Sequence, residues 1–238
     1  GKPIAMFYGH IFDGIYQYTD FDKMGETYVL KNDIPNNGNA REKIQPGDIK
    51  FKDINRDGVV NEYDLTIIGN PNPKHIGGFS NNFQYKNLDL NIFFQWSYGG
   101  DVLNANRIEF EGGDPTARTS LHLFASFVNR WPPENPTHEL YRIGGQGPAV
   151  YSSRTIEDGS FLRLKTISLG YRLPGTWLRK INIKSLRVYV SAQNLITWTK
   201  YSGPDPEVST RPTALTPSFD WSPYPRPRTF TLGVDMSF

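Results

Sequence analysis

The feature that most constrains this chain is a two-residue alternation of apolar and polar side chains, repeated in five separate segments. In 228–238, for example, Phe230, Leu232 and Val234 share one face. Successive side chains of a strand point to opposite faces of a sheet, so this period predicts strands rather than helices. The five segments are 76–86, 88–96, 161–173, 186–193 and 228–238, and a shorter sixth candidate is 4–17, around Phe7, Tyr8 and Ile15. The chain is therefore predicted to be all-β.

Composition and strand length both narrow this prediction. Aromatic residues make up 14% of the 238 residues, yet the mean hydropathy is −0.52, so the rings must be confined to narrow faces. The main segments have about 8–13 residues, and at roughly 3.3 Å per residue and a tilt near 45° each can cross a bilayer core. No run of about 18 apolar residues offers a transmembrane helix instead.

The connections between the predicted strands alternate between short and long. Lys86 and Asn87 alone separate two strands, and a short turn with Pro174 and Gly175 separates two others. The remaining connections are long, polar and rich in Gly and Pro: 18–75, 97–160 and 197–227. Transmembrane barrels have short periplasmic turns and long external loops. The pattern thus predicts a portion of an antiparallel transmembrane β-barrel, about six strands of it, with long extracellular loops.

Aromatic residues at the strand ends support the same orientation. One group adjoins the long loops: Trp96, Tyr98, Trp198, Tyr201 and Tyr224. A second group adjoins the short turns: Tyr85, Tyr171 and Trp177. Amphipathic rings at both ends of an apolar band are typical of a membrane interface. The alternative is an aromatic core at the rims of a soluble sheet.

The long loops contain one segment with helical spacing. In 117–131, Leu121, Phe124, Phe127 and Val128 recur at helical intervals, and Pro132 and Pro133 follow as a stop. We expect one short amphipathic helix there.

The sharpest local motif is a calcium-type loop at 53–64, inside the predicted extracellular loop 18–75. It fits the pattern D-x-[DN]-x-[DN]-G, in which ligands occupy loop positions 1, 3, 5, 7, 9 and 12. The predicted ligands are the side chains of Asp53, Asn55, Asp57 and Asp64 and the carbonyl of Val59, with Asn61 acting through a water and Gly58 allowing the turn. The last position is Asp rather than Glu, as in dockerin-type loops. The pattern predicts a structural Ca²⁺ site, and the alternative is a metal-free turn built by Asp, Asn and Gly.

Other chemistry is sparse. The chain has no cysteine, which excludes thiolate catalysis, thiolate metal sites and disulfides. Its formal charge of +2 is too balanced for a nucleic-acid binder.

Glu109 and Glu111 could form the carboxylate pair of a glycoside hydrolase only if they lay in a cleft, and a solvated loop face is the preferred interpretation. Trp131 and Trp221 could stack on sugars or be buried against loops or a partner, and we favour burial.

Several sequence blocks, in the same order along the chain, resemble the C-terminal third of the SusC/RagA family of TonB-linked outer-membrane transporters. These blocks are DGIYQ at 13–17, PGDIKFKD at 46–53, IGNPNP at 68–73, LDLNIFFQ at 88–95, FLRLK at 161–165, VSAQNL at 190–195 and YPRPR at 224–228. The last strand, ending in Phe238, also resembles the signal by which such barrels are recognised for assembly. The resemblance covers essentially all of 1–238.

The resemblance implies a barrel of about 22 strands, an N-terminal plug and a SusD-like surface lipoprotein that acts as a lid. It implies import of oligosaccharides or peptides, driven through TonB, across the outer membrane of a Gram-negative bacterium, with no enzyme activity. The TonB box, the plug and most strands are missing from the sequence. Since open sheet edges cannot face lipid, we expect the chain to be the C-terminal part of a larger protein. Its expected partners are the rest of the barrel and the plug, the lid, the TonB complex through the missing part, and outer-membrane lipid.

One alternative remains open from the sequence: a soluble, secreted, β-rich carbohydrate-binding module with a structural calcium loop. Detergent dependence distinguishes the two interpretations, because only a barrel piece needs an amphiphile to stay in solution.

Overall fold

The structure is a computed structural model that describes residues 1–112, 122–147, 151–179, 182–211, 213 and 215–238. It consists of two compact units. The sheet unit comprises Pro73–Gly100, Asp158–Glu207 and Tyr224–Phe238. The loop unit comprises Gly1–Asn72, Asp101–Glu157 and Val208–Pro223.

The sheet unit is built on one antiparallel sheet of five strands. The strands are β7 (His75–Tyr85), β8 (Leu88–Tyr98), β11 (Phe161–Arg172), β12 (Ser185–Thr199) and β14 (Thr229–Ser237), and a short helix α2 (Gly175–Leu178) follows β11. Their order across the sheet is β14-β12-β11-β8-β7. The five long segments predicted from the two-residue period are therefore confirmed as strands, and the prediction of an antiparallel barrel portion agrees with this sheet. The sheet has two open edges, β14 and β7, so the described strands do not form a closed barrel.

The register aligns residues of the same kind across all five strands, with an apolar row on one face and a polar row on the other. An apolar row is formed by Phe83, Leu90, Leu169, Val190 and Leu232. The neighbouring row, on the opposite face, is Asn82, Asn91, Ser168, Ser191 and Thr231. Four of the five side chains of the apolar row are exposed, for example 77% for Leu232, and Leu90 is half-buried. The sheet thus presents an uncovered apolar face, which suits lipid rather than water.

A bulge explains why the alternation in β11 looks irregular in the sequence. The pairing of β11 with β8 shifts between Leu164 and Thr166, where Lys165 is an extra residue. An extra residue reverses the phase of a strand. Leu164 before the bulge and Ile167 after it therefore lie on the same apolar face, opposite Phe94 and Ile92 of β8.

The sixth candidate strand, 4–17, is not part of this sheet. It forms two short strands of the loop unit, β1 (Phe7–Gly9) and β2 (Phe12–Ile15), which are too short to cross a membrane. The sequence of 4–17 has no long alternation, and Gly14 has a φ of +104° where the pairing of β2 is irregular. The sheet therefore has five strands, not the expected six.

The loop unit contains short strands and little helix. Its other strands are β3 (Phe21–Met24), β4 (Thr27–Leu30), β5 (Ile49–Phe51), β6 (Thr66–Gly69), β9 (Asp101–Asn104), β10 (Ile156–Asp158, which ends at the unit boundary) and β13 (Phe219–Asp220), with helix α1 at Asn106–Glu111. Five 3-10 turns are described: Tyr18–Asp20, Arg41–Lys43, Glu62–Asp64, Ala125–Asn129 and Ser153–Thr155. The strands pair as β1-β6, β2-β5, β3-β4 and β10-β9-β13.

Two small apolar clusters hold the loop unit together. One contains Ile49, Phe51, Val60, Leu140 and Tyr141. The other contains Tyr16, Phe21, Leu30 and Ile44. Every one of these side chains is at most 5% exposed, so this unit follows the ordinary rule of an aqueous fold.

The segment 117–131, for which an amphipathic helix is expected, is described only from residue 122 onwards. Residues 113–121 lie outside the described part of the chain, and 125–129 form a 3-10 helix rather than an amphipathic α-helix. The α-helix of this connection, α1, lies upstream of the expected position. Within the described ranges, none of the helices has the length and apolar character needed to cross a membrane.

Candidate functional site

The polar face of the sheet carries a charged network centred on Arg187 of β12. Its guanidinium donates to both carboxylate oxygens of Asp89 on β8, at 3.0 and 2.6 Å, and to Asp235 on β14 at 3.0 Å. Asp89 is two strands away from Arg187, because β11 lies between them. Gly170 of β11 leaves room for the crossing, since a Cβ there would lie 2.5 Å from Nη2 of Arg187. Arg187 also packs on the ring of Tyr189, 4.9 Å from its centroid.

A second network on the same face fixes the start of the long connection after β12. Arg163 of β11 is 2% exposed and pairs with Asp205 at 2.5 Å and with Glu207 at 3.3 Å. Arg226, just before β14, pairs with Glu207 at 2.6 Å. The segment 200–207 is thereby held against the polar face of the sheet by a buried cation. Removing the carboxylates would leave the charge of Arg163 buried and unpaired, which is strongly destabilising.

Sequence reasoning missed both networks. The charged strand residues alternate with apolar ones, so the sequence indicates that they lie on the polar face of the sheet. Nothing in the sequence indicates which charges meet across two or three strands, because that depends on register.

The aromatic residues predicted for a membrane interface differ in exposure, and their place at an interface stays a prediction. Tyr98 and Trp198 beside the long connections are 53% and 48% exposed, and Tyr85 beside a short turn is 69% exposed. Tyr201 is instead 5% exposed, so it is wrong to count it among the interfacial rings. It lies at the start of 200–207, which folds back on the sheet, and its ring packs on Gly203.

The loop 53–64 closes on itself through backbone hydrogen bonds. Asp53 accepts from the N–H of Arg56 at 2.6 Å and of Gly58 at 2.7 Å. Gly58 has a φ of +83°, a left-handed conformation that favours glycine. Asp64, fully buried at 0% exposure, accepts from the N–H of Ile54 at 2.7 Å and so joins the end of the loop to its start.

The other predicted ligands continue this pattern. Asn55 accepts from the N–H of Asp57 at 2.9 Å, Asp57 accepts from that of Val59 at 2.8 Å, and Asn61 accepts from that of Tyr63 at 2.8 Å. The side-chain oxygens therefore line a closed, turn-rich loop in the order that the motif requires. In the part of the chain that the structure describes, no three His, Cys, Asp or Glu side chains gather where they could hold a metal. The hydrogen bonds show that 53–64 forms the turn that the motif predicts. The binding of calcium there stays a prediction.

His10 neighbours this loop. Its ring packs 5.5 Å from that of Phe51. Burial lowers the pKa of His10, and the nearby charge of Asp64 opposes that shift with a smaller effect. Folding therefore favours the neutral form of the His10 ring over the charged form.

The carboxylates considered for glycoside chemistry do not form a free pair. Glu111 is 7% exposed and is bound by Arg154 and by Arg107, the latter at 3.1 Å. Tyr141 lies beside this group with Arg154 over its ring, and burial raises the pKa of Tyr141 to about 12. A carboxylate held by two arginines in a buried site is structural.

Comparison with known proteins decides between the interpretations. No family model matches the chain. Over 243 aligned residues, covering 100% of the chain, it is 37% identical to the TonB-dependent receptor P3 of Formosa agariphila, and it is 31% identical over 89% of its length to the TonB-dependent receptor SusC of Bacteroides thetaiotaomicron. Its fold matches the RagAB peptide importer in the "closed-closed" state with a TM-score of 0.70, 26% identity and 98% of the chain covered. The chain belongs to the SusC/RagA-like TonB-dependent receptors.

This SusC/RagA-like chain spans about a fifth of its relatives, 22% of the P3 receptor and 23% of the importer chain. The resemblance noted from the sequence blocks is confirmed, and so is the fold class. The relatives are outer-membrane receptors and importers rather than enzymes, which confirms the prediction that the chain is not an enzyme. They favour a membrane protein over the soluble carbohydrate-binding module.

Proposed function

We propose that the chain forms part of the barrel wall and the external loops of an outer-membrane importer of nutrients. The observation that carries this proposal is the sheet of five antiparallel strands, with an uncovered apolar face and a polar, ion-paired face. The apolar face contacts lipid and the polar face lines the lumen. The long connections, which leave the sheet at the ends near His75, Tyr98 and Thr199, form the extracellular side.

The transported material is oligosaccharide or peptide, taken up with energy delivered through TonB. A SusD-like lipoprotein covers the external side and delivers the ligand. Support for this part comes from the relatives, one of which is named SusC and another of which is a peptide importer. The complete receptor, with its plug and remaining strands, performs the transport.

Uptake in the bacterium that carries the receptor tests the proposal. Deleting the receptor should abolish uptake of one labelled nutrient class, and deleting TonB or dissipating the proton gradient should have the same effect. Deleting the neighbouring SusD-like lipoprotein should reduce uptake at low ligand concentration. Unchanged uptake of both oligosaccharides and peptides in the receptor deletion would contradict the proposed function.

We also propose that the loop 53–64 binds a structural Ca²⁺ through Asp53, Asn55, Asp57, Val59 and Asp64. The support is the motif together with the closed turn that Gly58 and Asp64 create. A cation would supply charge compensation for three carboxylates in one loop and would hold it in a single conformation. Calcium has no catalytic role in this proposal.

A variant at Asp57 separates calcium binding from the fold of the loop. Asp57 is exposed, whereas Asp64 supports the backbone of the loop with or without metal. Calcium at about 100 times its dissociation constant should stabilise the wild type by about 2.7 kcal/mol. Thermal unfolding of the full receptor with Ca²⁺ or a chelator should show this difference, Asp57→Asn should reduce it, and Asp33→Asn, outside the loop, should not. An identical melting curve with and without Ca²⁺ would refute the calcium site.

A further inference from the structure

A cavity of about 470 Å³ in the loop unit has an aromatic wall and a charged rim. The wall is made by Tyr18, Tyr28 and Trp131, and the rim includes Glu26, Glu42 and Gln45. Cavities of about 300–1,000 Å³ are typical of ligand sites. We refer to it as the aromatic cavity.

The wall is rigidly built. The centroid of the Tyr18 ring lies 5.0 Å from that of Tyr28 and 5.3 Å from that of Trp131, so the Tyr18 ring lies between the other two. Trp131 is 4% exposed and donates from Nε1 to Gln17 at 3.1 Å. Its ring packs on Gly47, where a Cβ would lie 2.5 Å from it. Trp131 therefore supports the wall, and the two tyrosines are the rings that a ligand can reach.

The charges around this wall are not balanced. Glu26 and Glu42 are exposed, and neither forms an ion pair within the described ranges of the chain. The cation in the lining, Arg142, is already paired with Asp48 at 2.7 Å. The cavity therefore combines two uncompensated carboxylates with the electron-rich faces of two tyrosines. Both features attract cations.

Lys23, which pairs with Tyr28 across the β3-β4 hairpin and does not line the cavity, illustrates that the Tyr28 ring can hold a cation. Its Nζ lies 5.9 Å from the centroid of the Tyr28 ring. A neutral sugar could also stack on Tyr18 and bond to the rim. It would, however, leave two carboxylates of like charge without a counter-ion, which a cationic ligand would neutralise.

We propose that the aromatic cavity is a subsite for a cationic group, an ammonium or guanidinium on a basic peptide. The cation lies against Tyr18 and Tyr28 while Glu26 and Glu42 accept its hydrogen bonds. The inference rests on the proposed function, because it selects basic peptides among the nutrients that the receptor would take up.

Equilibrium binding to the purified full-length receptor tests the subsite, with tri-lysine, tri-alanine and maltotriose as the probes. The wild type should bind tri-lysine more tightly than the other two, and salt should weaken that binding. The double variant Glu26→Gln with Glu42→Gln should bind tri-lysine about tenfold more weakly, since the charges are lost and the shape is kept. Tyr18→Ala should weaken it as well.

The matched control is Asp33→Asn with Glu139→Gln, which removes two exposed carboxylates of the loop unit outside the cavity. It should bind tri-lysine as the wild type does. Equal affinity of the Glu26/Glu42 variant and the wild type, or a preference for maltotriose, would overturn the inference. Uptake that is lost in the receptor deletion, combined with such a result, would leave the proposed function intact and remove only the subsite.

Discussion

The two units of this chain differ in where their large apolar side chains lie. In the sheet unit many large apolar side chains are uncovered, with Leu232 at 77% and Val234 at 59% exposure, although smaller or mid-sheet ones such as Ala192 are covered, and Arg163 is 2% exposed. In the loop unit the apolar side chains are the buried ones, with Phe51 at 1% and Ile44 at 0%. Apolar side chains are therefore arranged for different surroundings in the two units. The apolar face of the sheet is made for hydrocarbon, and the clusters of the loop unit are made for water.

The same contrast extends to the way in which charges are used. In the sheet unit, ion pairs join strands across the polar face, and Arg187 connects β8, β12 and β14. In the loop unit, Glu111 of α1 pairs with Arg107 of the same helix and with Arg154, and the carboxylates of 53–64 cap backbone N–H groups of their own loop. Long-range pairs fix the register of a sheet, whereas local caps fix the shape of a loop.

The largest expected effect comes from placing a charge on the apolar face. Ile167→Arg, opposite Ile92 and Ala192 in mid-sheet, should destabilise the receptor in vesicles by about 2–4 kcal/mol. Ser168→Arg, the next residue on the other face, should have a much smaller effect because the polar face meets water. Urea titrations of both variants in phospholipid vesicles measure the difference. Equal losses in the two variants would break the contrast between the faces.

A smaller effect is expected at Gly170, over which the side chain of Arg187 passes to reach Asp89. Gly170→Ala should displace Arg187 from Asp89 and cost about 1.5–3 kcal/mol, the range for hydrogen bonds to charged groups. Gly175→Ala is the control, because nothing lies within 4 Å of a Cβ there. The loss in Gly170→Ala should overlap with that of Arg187→Lys instead of adding to it. Full additivity in a double-mutant cycle would show that Gly170 does not act through Arg187.

The smallest effect concerns pH and belongs to the loop unit alone. The pKa of His10 is lowered in the folded state, so folding favours the neutral ring. Its contribution to stability is complete above the ordinary value of 6.5 and is lost as the pH falls below it. Protection of the loop unit from proteolysis should therefore decrease between about pH 7 and pH 5, by the range in which His titrates. His10→Gln should remove that part of the pH dependence, and an unchanged pH profile in this variant would contradict the assignment.

The two units also differ in how much of each could be predicted from sequence. The strands of the sheet were predictable because the alternation in 228–238 or 88–96 is local and each strand repeats it. Only the bulge at Lys165 obscured it. In the loop unit, Phe7 pairs with Gly69 and Leu103 with Phe219, and such short strands carry no periodic signal. The segment 4–17 was accordingly misassigned.

The candidate site divides in the same way. The turn of 53–64 was predictable because Asp53, Gly58 and Asp64 act within one short segment. The aromatic cavity was not, since its wall joins Tyr18 and Tyr28 to Trp131, which is more than 100 residues away in the sequence. Trp131 is buried, as favoured from the sequence, whereas Trp221, for which burial was also favoured, is 41% exposed. The role of Trp131 as the support of an accessible tyrosine emerged only from the fold.

The central claim is that one face of the sheet contacts lipid and the other does not. Spin labels at single cysteines along β12 test it most directly, since this chain has no cysteine of its own. In the complete receptor in vesicles, with cysteines elsewhere replaced, labels at Val188 and Val190 should be accessible to oxygen dissolved in the lipid. Labels at Tyr189 and Ser191 should be reached instead by a water-soluble nickel complex. Accessibility without a two-residue period, or with the opposite phase, would contradict the account.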